Sequence, residues 1–407
     1  MKVLYIHQYF NNLSSGNGIR SYKFAQALME KGHQVTVVCS GADEKFNLPK
    51  VSKYVNRGFV DGIQVIQIGI ISTNEDKIAK RTMDFIKFSL LSIKFVFREK
   101  YDLLFATSTP LSVGIPGIFA KLFYRKKIKF VFEVRDLWPE LPKALGLKNP
   151  FLLLGMSILE KLSYKMSDAC IGLSPGICEG VRKKSPKGHK IEMIPNGSDM
   201  DLFTRDINDR CNIDGVKAGD IVAIYPGVHG IANGLDSVLD MAKVLIEKDI
   251  KTIKILFVGN GIQKQHLMNR AGKENLNNCI FLGRVSKHEL NRIMNRSDIG
   301  LMVLKNIPAF YYGTSPNKFF DYISASLPVI NNYPGWLADM ITEYKCGVVI
   351  PPDNPHAFAN AVIELATHTN DRIKMGENGR ILEEKKFSRK DLAEKFVTFL
   401  EEVIKIN

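Results

Sequence analysis

Five short segments carry residues whose chemistry suits a phosphate, a sugar or a mobile proton. Gly16-Asn17-Gly18-Ile19-Arg20 sets two glycines and a cation at the start of a helical stripe. Glycines let the backbone approach a ligand, and the first turn of a helix offers unpaired N–H groups to an anion. An ordinary flexible loop is the plain alternative. Ser21 stands where a dinucleotide fingerprint needs its third glycine, which disfavours a Rossmann dehydrogenase. The second segment, Glu133-Val134-Arg135-Asp136-Leu137-Trp138-Pro139-Glu140, follows the apolar run Phe130–Phe132. Glu133, Arg135 and Asp136 place two carboxylates and a cation at a strand end, and Trp-Pro stiffens the loop that holds them. These three are the candidate catalytic residues, with a salt-bridged surface turn as the alternative.

The other three segments lie in the second half. Gly227-Val228-His229-Gly230, continuing to Asn233-Gly234, and Gly259-Asn260-Gly261 are strand-to-helix turns of the kind that cradles a diphosphate. Ser315-Pro316-Asn317-Lys318-Phe319-Phe320-Asp321 opens a helix. Its Lys318 and Asp321 are three residues apart and share one face. They read as a phosphate cation and a ribose-hydroxyl acceptor, and a surface ion pair is the alternative. Three anion-binding turns in one region point to a nucleotide diphosphate. Asp199-Met200-Asp201 has the form of a metal clamp, but it follows a Pro-Asn-Gly turn and reads as turn stabilisation. No metal and no cofactor are expected. The eight histidines show no HExxH spacing, and Walker A, GxSxG and zinc-finger patterns are absent.

Short apolar strands alternating with helices must position these segments. Lys2–His7, Gln34–Cys39, Ile63–Ile68, Leu103–Thr107, Phe130–Glu133 and Ala169–Leu173 read as strands. Helices at about 77–99, 110–124, 151–166 and 175–184 separate them. The pattern repeats from Ile221 to Ile350, with helices near 234–248, 262–273, 286–295, 316–325 and 335–342. Such alternation means βαβ units and parallel sheets. Met193–Phe203 interrupts the rhythm with Pro-Asn-Gly and reads as the exit from the first domain. The expected organisation is therefore α/β with a domain over 1–200, a second over 201–388, and an amphipathic helix over 389–407 that can pack back on the first. Ligands of such sheets sit beyond the carboxyl ends of the strands, so two facing domains would share one cleft.

Of the 407 residues, 45% are hydrophobic and 24% charged, which excludes a disordered or fibrous chain. Six cysteines without a CxxC pair argue against structural zinc or a disulfide framework and fit a reducing cytosol. The opening MKVLYIHQYF reads as a strand rather than a signal peptide, and no run of 18 apolar residues exists to span a bilayer. Net charge is +14, and residues 1–200 carry nearly all of it, with 30 Lys and Arg against 17 Asp and Glu. That half should seek an anionic surface, unless the excess is simple lysine enrichment. Nucleic acid is disfavoured, because the cations are spread out and no aromatic RNA motif accompanies them.

The whole set resembles glycosyltransferase family 4 with its GT-B architecture. The resemblance rests on the amino-terminal glycine loop, VRDLWPE, IPNGSDMDLF, YPGVHGIANGLD, LFVGNG, FLGRVSKHEL and SPNKFFDYISASLPVI. It implies two facing Rossmann-like doubly wound domains with an interdomain cleft and a retaining transfer. It also implies a nucleotide-sugar donor on the second domain and a lipid-linked saccharide acceptor on the first. VRDLWP and HGxxxGL are most similar to the branch that transfers acetamido sugars, N-acetyl-fucosamine among them, in bacterial O-antigen and capsule synthesis. Within the resemblance, Arg284 and Val285 meet the base, Asn317 and Lys318 the phosphates, and Asp321 the ribose. Gly227, His229, Asn233, Gly259 and Asn260 line the donor loops, and Gly16, Gly18 and Arg20 form an acceptor or diphosphate loop. Two departures stand out. Gly313 replaces a family glutamate, and the diphosphate loop lacks the usual Arg and Lys. A sugar-nucleotide 2-epimerase and a non-catalytic nucleotide-sugar-binding regulatory protein are the alternatives. Finally, Met83–Arg98 and Ile115–Lys129 mix apolar and basic residues, including Phe88, Phe95 and Phe119. They read as interfacial helices that dock the protein peripherally on the inner face of an anionic membrane, or else as ordinary sheet-covering helices.

Overall fold

Alternation along the first strand organises the first half of the molecule. In the computed structural model, which describes residues 1–13, 18–41, 46–71, 76, 78–206, 208–209 and 211–406, β1 is Lys2–Ile6. Val3 and Tyr5 point to one side of its sheet, Leu4 and Ile6 to the other, and both sides are buried. Elements follow in the order α1 (Arg20–Glu30), β2 (Gln34–Ser40), β3 (Lys50–Ser52), β4 (Val55–Val60), β5 (Ile63–Ile68), α2 (Ile78–Arg98), β6 (Leu103–Thr107), α3 (Gly114–Tyr124), β7 (Lys129–Val134), α4 (Glu140–Ala144), α5 (Pro150–Met166), β8 (Ala169–Gly172), α6 (Pro175–Lys184) and β9 (Lys190–Met193). They build a nine-stranded sheet in the order β3-β4-β5-β2-β1-β6-β7-β8-β9. Strands β5 to β9 are mutually parallel, while β3 and β4 form an antiparallel edge that strand–helix alternation does not anticipate. This edge hairpin is only partly buried, so it lacks the continuous apolar run that marks the central strands.

The second half repeats the plan. It contains β10 (Ile221–Pro226), α7 (Asp236–Glu247), β11 (Ile253–Val258), α8 (Lys264–Lys273), β12 (Cys279–Leu282), α9 (Lys287–Arg296), β13 (Ile299–Met302), α10 (Asn317–Ser324), β14 (Val329–Asn331), α11 (Trp336–Tyr344), β15 (Gly347–Val349), α12 (Pro355–Thr367) and α13 (Thr369–Leu382). Six parallel strands run in the order β12-β11-β10-β13-β14-β15. Two compact units result: Met1–Pro195 with Tyr312–Ser315 and Lys390–Asn407, and Asn196–Tyr311 with Pro316–Arg389.

The last helix, α14 (Arg389–Lys405), lays Leu392, Phe396, Phe399, Leu400 and Val403 into the first unit's core. Phe396 stacks on Phe24 of α1 at 4.5 Å and meets Phe105 edge-on at 4.9 Å. Helices α2, α3 and α5 cover the opposite side of that sheet, α3 between the other two. Their inner residues, Phe88, Val96, Ala120 and Tyr164, are buried there. In each sheet the chain reverses its winding direction at the first strand, between β1 and β6 and between β10 and β13. Ligands of open α/β sheets bind beyond the strand ends at such points.

Candidate functional site

In the first unit the residues expected at the switch point divide into two groups. Arg20 and Glu133 are wholly internal. Arg20 donates from Nε and Nη2 to Glu133 Oε1 at 3.1 and 2.8 Å, and from Nη2 to Ile194 O at 2.8 Å. Thr107 donates to the other Glu133 oxygen, and Glu133 has no exposed surface. Expected to contact ligand, the pair instead ties the start of α1 to the ends of β6, β7 and β9. A carboxylate with both oxygens engaged, sealed from water, is not placed to move a proton for a substrate. Gly18 is exposed, and Gly16 lies outside the described residues.

Asp136 and Arg135 do sit at the rim. Both are half-buried. Asp136 accepts from Thr109 Oγ1 at 2.8 Å, and Arg135 N–H donates to Ser108 Oγ at 2.9 Å. Burial raises the Asp136 carboxyl above its ordinary range, opposed by the Thr109 bond and the Arg135 charge. The loop carrying them is fixed from behind by Glu160 of α5, which accepts from Trp138 N–H at 3.3 Å and from Lys184 Nζ at 2.6 Å.

The second unit brings the glycine turns together. Gly227 N–H donates to Val258 O, and His229 N–H to Asn260 O, so the turns after β10 and β11 lie against each other. A Cβ on Gly259 would stand 2.0 Å from Gly227 O, and that position has a φ of +142°, so only glycine permits the contact. Lys318 reaches these turns from the first turn of α10. Its Nζ donates to Tyr225 OH at 2.8 Å, lies 3.5 Å from Asn233 Oδ1, and sits 4.1 Å above the Tyr225 ring centre. Burial lowers its pKa to about 7. His229 is fully buried, both ring nitrogens lack a partner, and burial plus the Lys264 and Lys318 charges push its pKa down to about 4. It is a neutral imidazole beside cations.

Asp321 does not share the Lys318 environment. Its oxygens accept from Ser198 Oγ at 2.9 Å and Lys287 Nζ at 2.8 Å, deep in the unit. Three residues along a helix turn a side chain by less than a full circle, enough here to send one group to the glycine turns and the other inward. The ribose role expected of Asp321 is therefore not available to it in this arrangement. Asn317 Oδ1 is hidden and unpartnered, Arg284 is exposed after β12, and Val285 is half-buried. Asp199 pairs with Arg389 at 3.4 Å, and among the described residues no three His, Cys, Asp or Glu converge as a metal site.

Sequence reasoning missed several residues. Lys264, three after Gly261, binds Gly259 O, Asn260 Oδ1 and Leu282 O at 2.7–3.0 Å and fastens the β11 turn. The spacing Gly-Asn-Gly-x-x-Lys was the available signal. Lys287 holds Asp321, and Glu383 holds the Ser198 segment by accepting from Ser198 N–H at 2.7 Å. His7, Gln8 and Tyr9, directly after β1, also went unread, although a polar triplet ending an apolar strand marks the same edge of the sheet.

The family pattern described as Glycosyl transferases group 1 matches residues 210–382, and Glycosyltransferase Family 4 matches residues 15–202. No curated protein matches the sequence. Among solved structures, sucrose-phosphate synthase from Thermosynechococcus elongatus is 16% identical with a TM-score of 0.77, over 99% of this chain and 98% of that one. Anabaena HepE, solved with UDP-glucose, is 14% identical with a TM-score of 0.71, over 99% and 100%. WaaG, a glycosyltransferase involved in lipopolysaccharide biosynthesis, is 14% identical with a TM-score of 0.69, over 98% and 99%. These likenesses establish the two-domain fold.

Proposed function

The chain is a family 4 glycosyltransferase of GT-B architecture, and on that premise we propose that it is a retaining enzyme of bacterial surface-polysaccharide synthesis. It moves an acetamido sugar, such as N-acetyl-L-fucosamine, from a UDP-linked donor to a lipid-linked saccharide. The observation that carries the donor half is Lys318, an ammonium with one hydrogen unspent, held over paired glycine turns at a switch point. A diphosphate there meets backbone N–H groups and a desolvated cation, and that cation stabilises the charge growing on the leaving phosphate. Lys318 takes over the role of the Arg and Lys missing from the glycine loop. In a front-face transfer the leaving phosphate itself accepts the acceptor's proton, and Asp136, whose carboxyl burial pushes up, is the candidate enzyme group to assist. UDP-glucose bound to HepE and the lipopolysaccharide role of WaaG support the donor class and the pathway. The acetamido sugar rests on the VRDLWP and HGxxxGL segments. We further propose that Lys318 and the N–H groups serve in place of a divalent ion.

A peripheral position on an anionic membrane completes the reading. No described helix is long and apolar enough to cross a bilayer. Phe88 and Phe95, expected on the lipid side, face the sheet and are buried, because α2 covers the core with that edge. The outer edge supports docking instead. Leu90 and Leu91 of α2, Leu122 and Phe123 of α3, and Phe151, Leu154 and Ile158 of α5 are exposed, Phe151 by 83% and Phe123 by 66%. Lys87, Lys94, Arg98, Arg125, Lys126, Lys127, Lys161 and Lys165 are exposed on the same elements and the turn after α3. Calorimetric titration with UDP, GDP, dTDP and their sugars tests the donor assignment. Binding of GDP or dTDP in preference to UDP would replace the base, and binding of none would defeat the reading.

A further inference from the structure

On the α2 side of the first unit's sheet, two inner strands turn polar where a covered face is apolar. Ile6, Val38 and Ile66 form one row across β1, β2 and β5, and all three are buried against that side. Two residues toward the amino ends of the strands, the next row runs Leu4, Thr36 and Gln64. Inner strands of a parallel sheet are apolar on both faces as a rule, because helices cover both. Here α2 ends at Arg98, and a cavity of about 620 Å³ opens over Thr36 and Gln64. Thr36 Oγ1 donates to Gln64 Oε1 at 2.8 Å, which leaves both amide hydrogens of Gln64 unspent. The charges around this floor are one-sided. Lys2, Arg57, Arg98 and Lys100 line the cavity against one carboxylate, Glu99. Arg57 already takes both Glu99 oxygens, at 2.9 Å each. His33 is bonded to Glu401 at 2.8 Å, and Asp102, just beyond the lining, accepts from Lys2 N–H at 2.7 Å. The side-chain cations of Lys2, Arg98 and Lys100 are exposed and have no ion-pair partner among the described residues.

The chemistry of the lining selects the ligand. Ammonium, guanidinium and amide N–H groups donate and do not accept. A cleft lined by one sign of charge concentrates ions of the other. A phosphate group offers acceptors only, and its charge of about two suits three uncommitted cations better than the single charge of a carboxylate. Phe59, paired with Gln64 across β4 and β5, is 71% exposed and gives the cavity an apolar wall. That wall seats an organic remainder beside the phosphate. We propose that this cavity is a separate anion site, in which Lys2, Arg98, Lys100 and the Gln64 amide bind the phosphate of an organic phosphate and Phe59 covers its apolar part. The cavity lies at the amino ends of the strands. Asp136 and the glycine turns follow the carboxyl ends of β7, β10 and β11, so the ligand of this cavity takes no part in sugar transfer. The inference stands apart from the donor and acceptor readings. The phosphate belongs either to a soluble ester or to a lipid headgroup, and the two sources are separable.

The test uses the full chain carrying Lys318→Met as parent, so that the cation at the glycine turns does not compete for phosphate. Lys2→Gln with Lys100→Gln, and separately Gln64→Leu, alter the cavity. Lys251→Gln with Lys273→Gln removes the same charge from the second unit as a control. Thermal unfolding shows which variants fold. Calorimetry with inorganic phosphate and phenyl phosphate reads the soluble source. Co-sedimentation with phosphatidylcholine vesicles, with and without phosphatidic acid, reads the lipid source. The parent should bind phenyl phosphate more tightly than inorganic phosphate. The cavity lysine pair should weaken phosphate binding at least about tenfold, and the control pair should leave it unchanged. Loss confined to the soluble probes assigns a soluble ester, and loss confined to phosphatidic acid vesicles assigns a headgroup. Gln64→Leu reports independently if the lysine pair does not fold. The proposal is overturned if the parent binds no phosphate probe, if the cavity variants bind as the parent does, or if the control pair weakens binding as much as the cavity pair. Failure of UDP to bind the wild-type chain would fell the donor reading instead, and the phosphate titrations would still decide the cavity.

Discussion

Lys318 holds its ammonium 2.8 Å from the Tyr225 hydroxyl and 4.1 Å above the centre of the same ring. One aromatic side chain from β10 thus both bonds and stacks under a cation from α10. The cation lies beside Gly227, where a Cβ would come within 3.4 Å of Lys318 Cε. The price is desolvation, offset when an anion arrives. Lys318→Met should therefore weaken UDP binding by roughly 10- to 100-fold, the worth of a charge-assisted contact of about 1.5–3 kcal/mol. The same variant should unfold at a higher temperature than wild type. Calorimetry and thermal melts on one preparation check both, and unchanged UDP affinity in a folded variant removes Lys318 from the donor site.

The lowered pKa of Lys318, about 7 against an ordinary 10.5, also fixes two pH dependences. A diphosphate favours the protonated amine, so UDP affinity should be flat below pH 7. Above that it should fall, by at most about tenfold per unit, as binding must take up a proton. For stability the sign is opposite. Between about pH 7 and 10.5 the unfolded chain binds the proton that the folded chain has lost, so this group's contribution rises with pH across that window. Both slopes should vanish in Lys318→Met, measured by calorimetry and by urea unfolding at several pH values. Slopes that persist in the variant would belong to another group.

Metal dependence gives a separate check on the charge balance. If Lys318 and backbone N–H groups of the paired turns serve the diphosphate as proposed, turnover measured as UDP release should survive EDTA within about twofold, since the stabilising charge is then built into the protein. Complete loss on chelation, restored by Mg²⁺ or Mn²⁺, would show that the protein's own cations are insufficient. Asp199 and Asp201 would then return as candidate ligands.

Glu133 and Asp321 should act on stability rather than on chemistry. Each is a buried carboxylate engaged by a cation and a hydroxyl, Arg20 and Thr107 for the first, Lys287 and Ser198 for the second. Removing one partner of a buried pair strands the other charge and costs about 3–5 kcal/mol. Glu133→Ala and Asp321→Ala should therefore lower urea midpoints sharply, and Arg20→Met should recover part of the Glu133→Ala loss. Wild-type stability with lost donor affinity would restore Asp321 to the ribose.

The contrast between these residues shows what a sequence carries. The strands β1, β2, β6, β7, β10 and β11 announce themselves by apolar runs, and the glycine turns follow from them. Lys318 was legible because its segment opens a helix after a loop. The partners of Asp321 and Glu133 were not legible, since Lys287 and Arg20 are 34 and 113 residues away in the chain. A carboxylate at a strand end reads the same whether it faces solvent or an internal arginine. The polar triplet His7-Gln8-Tyr9 was hidden for a related reason, as its unpaired atoms appear only once burial is known. The edge hairpin β3–β4 and helix α13 lack a strong apolar period, whereas α12 carries one, with an Asn354-Pro355 start and Phe358, Ala361, Val362 and Leu365 on one face, and went unread.

The outer edge of α2, α3 and α5 makes the last prediction. Phe97 of α2 and Phe123 of α3 meet edge-on at 5.1 Å, the first 44% and the second 66% exposed. Two aromatic rings held together in water bury little of each other, whereas insertion at a lipid interface would hide both. Burying a large apolar side chain is worth about 1.5–3 kcal/mol, and each Lys or Arg near an anionic surface adds about 1 kcal/mol. Co-sedimentation with vesicles containing phosphatidylglycerol should therefore be strong, weaker on pure phosphatidylcholine, and weakened by salt through screening. Replacing Leu90, Phe123 and Phe151 with serine should cut partitioning by at least about 100-fold while leaving UDP affinity unchanged, because these exposed residues touch neither glycine turn. A triple variant that binds anionic vesicles as tightly as wild type, or a wild type that ignores them at low salt, would end the docking reading. The donor site would be unaffected by that outcome, since it rests on Lys318 and not on lipid.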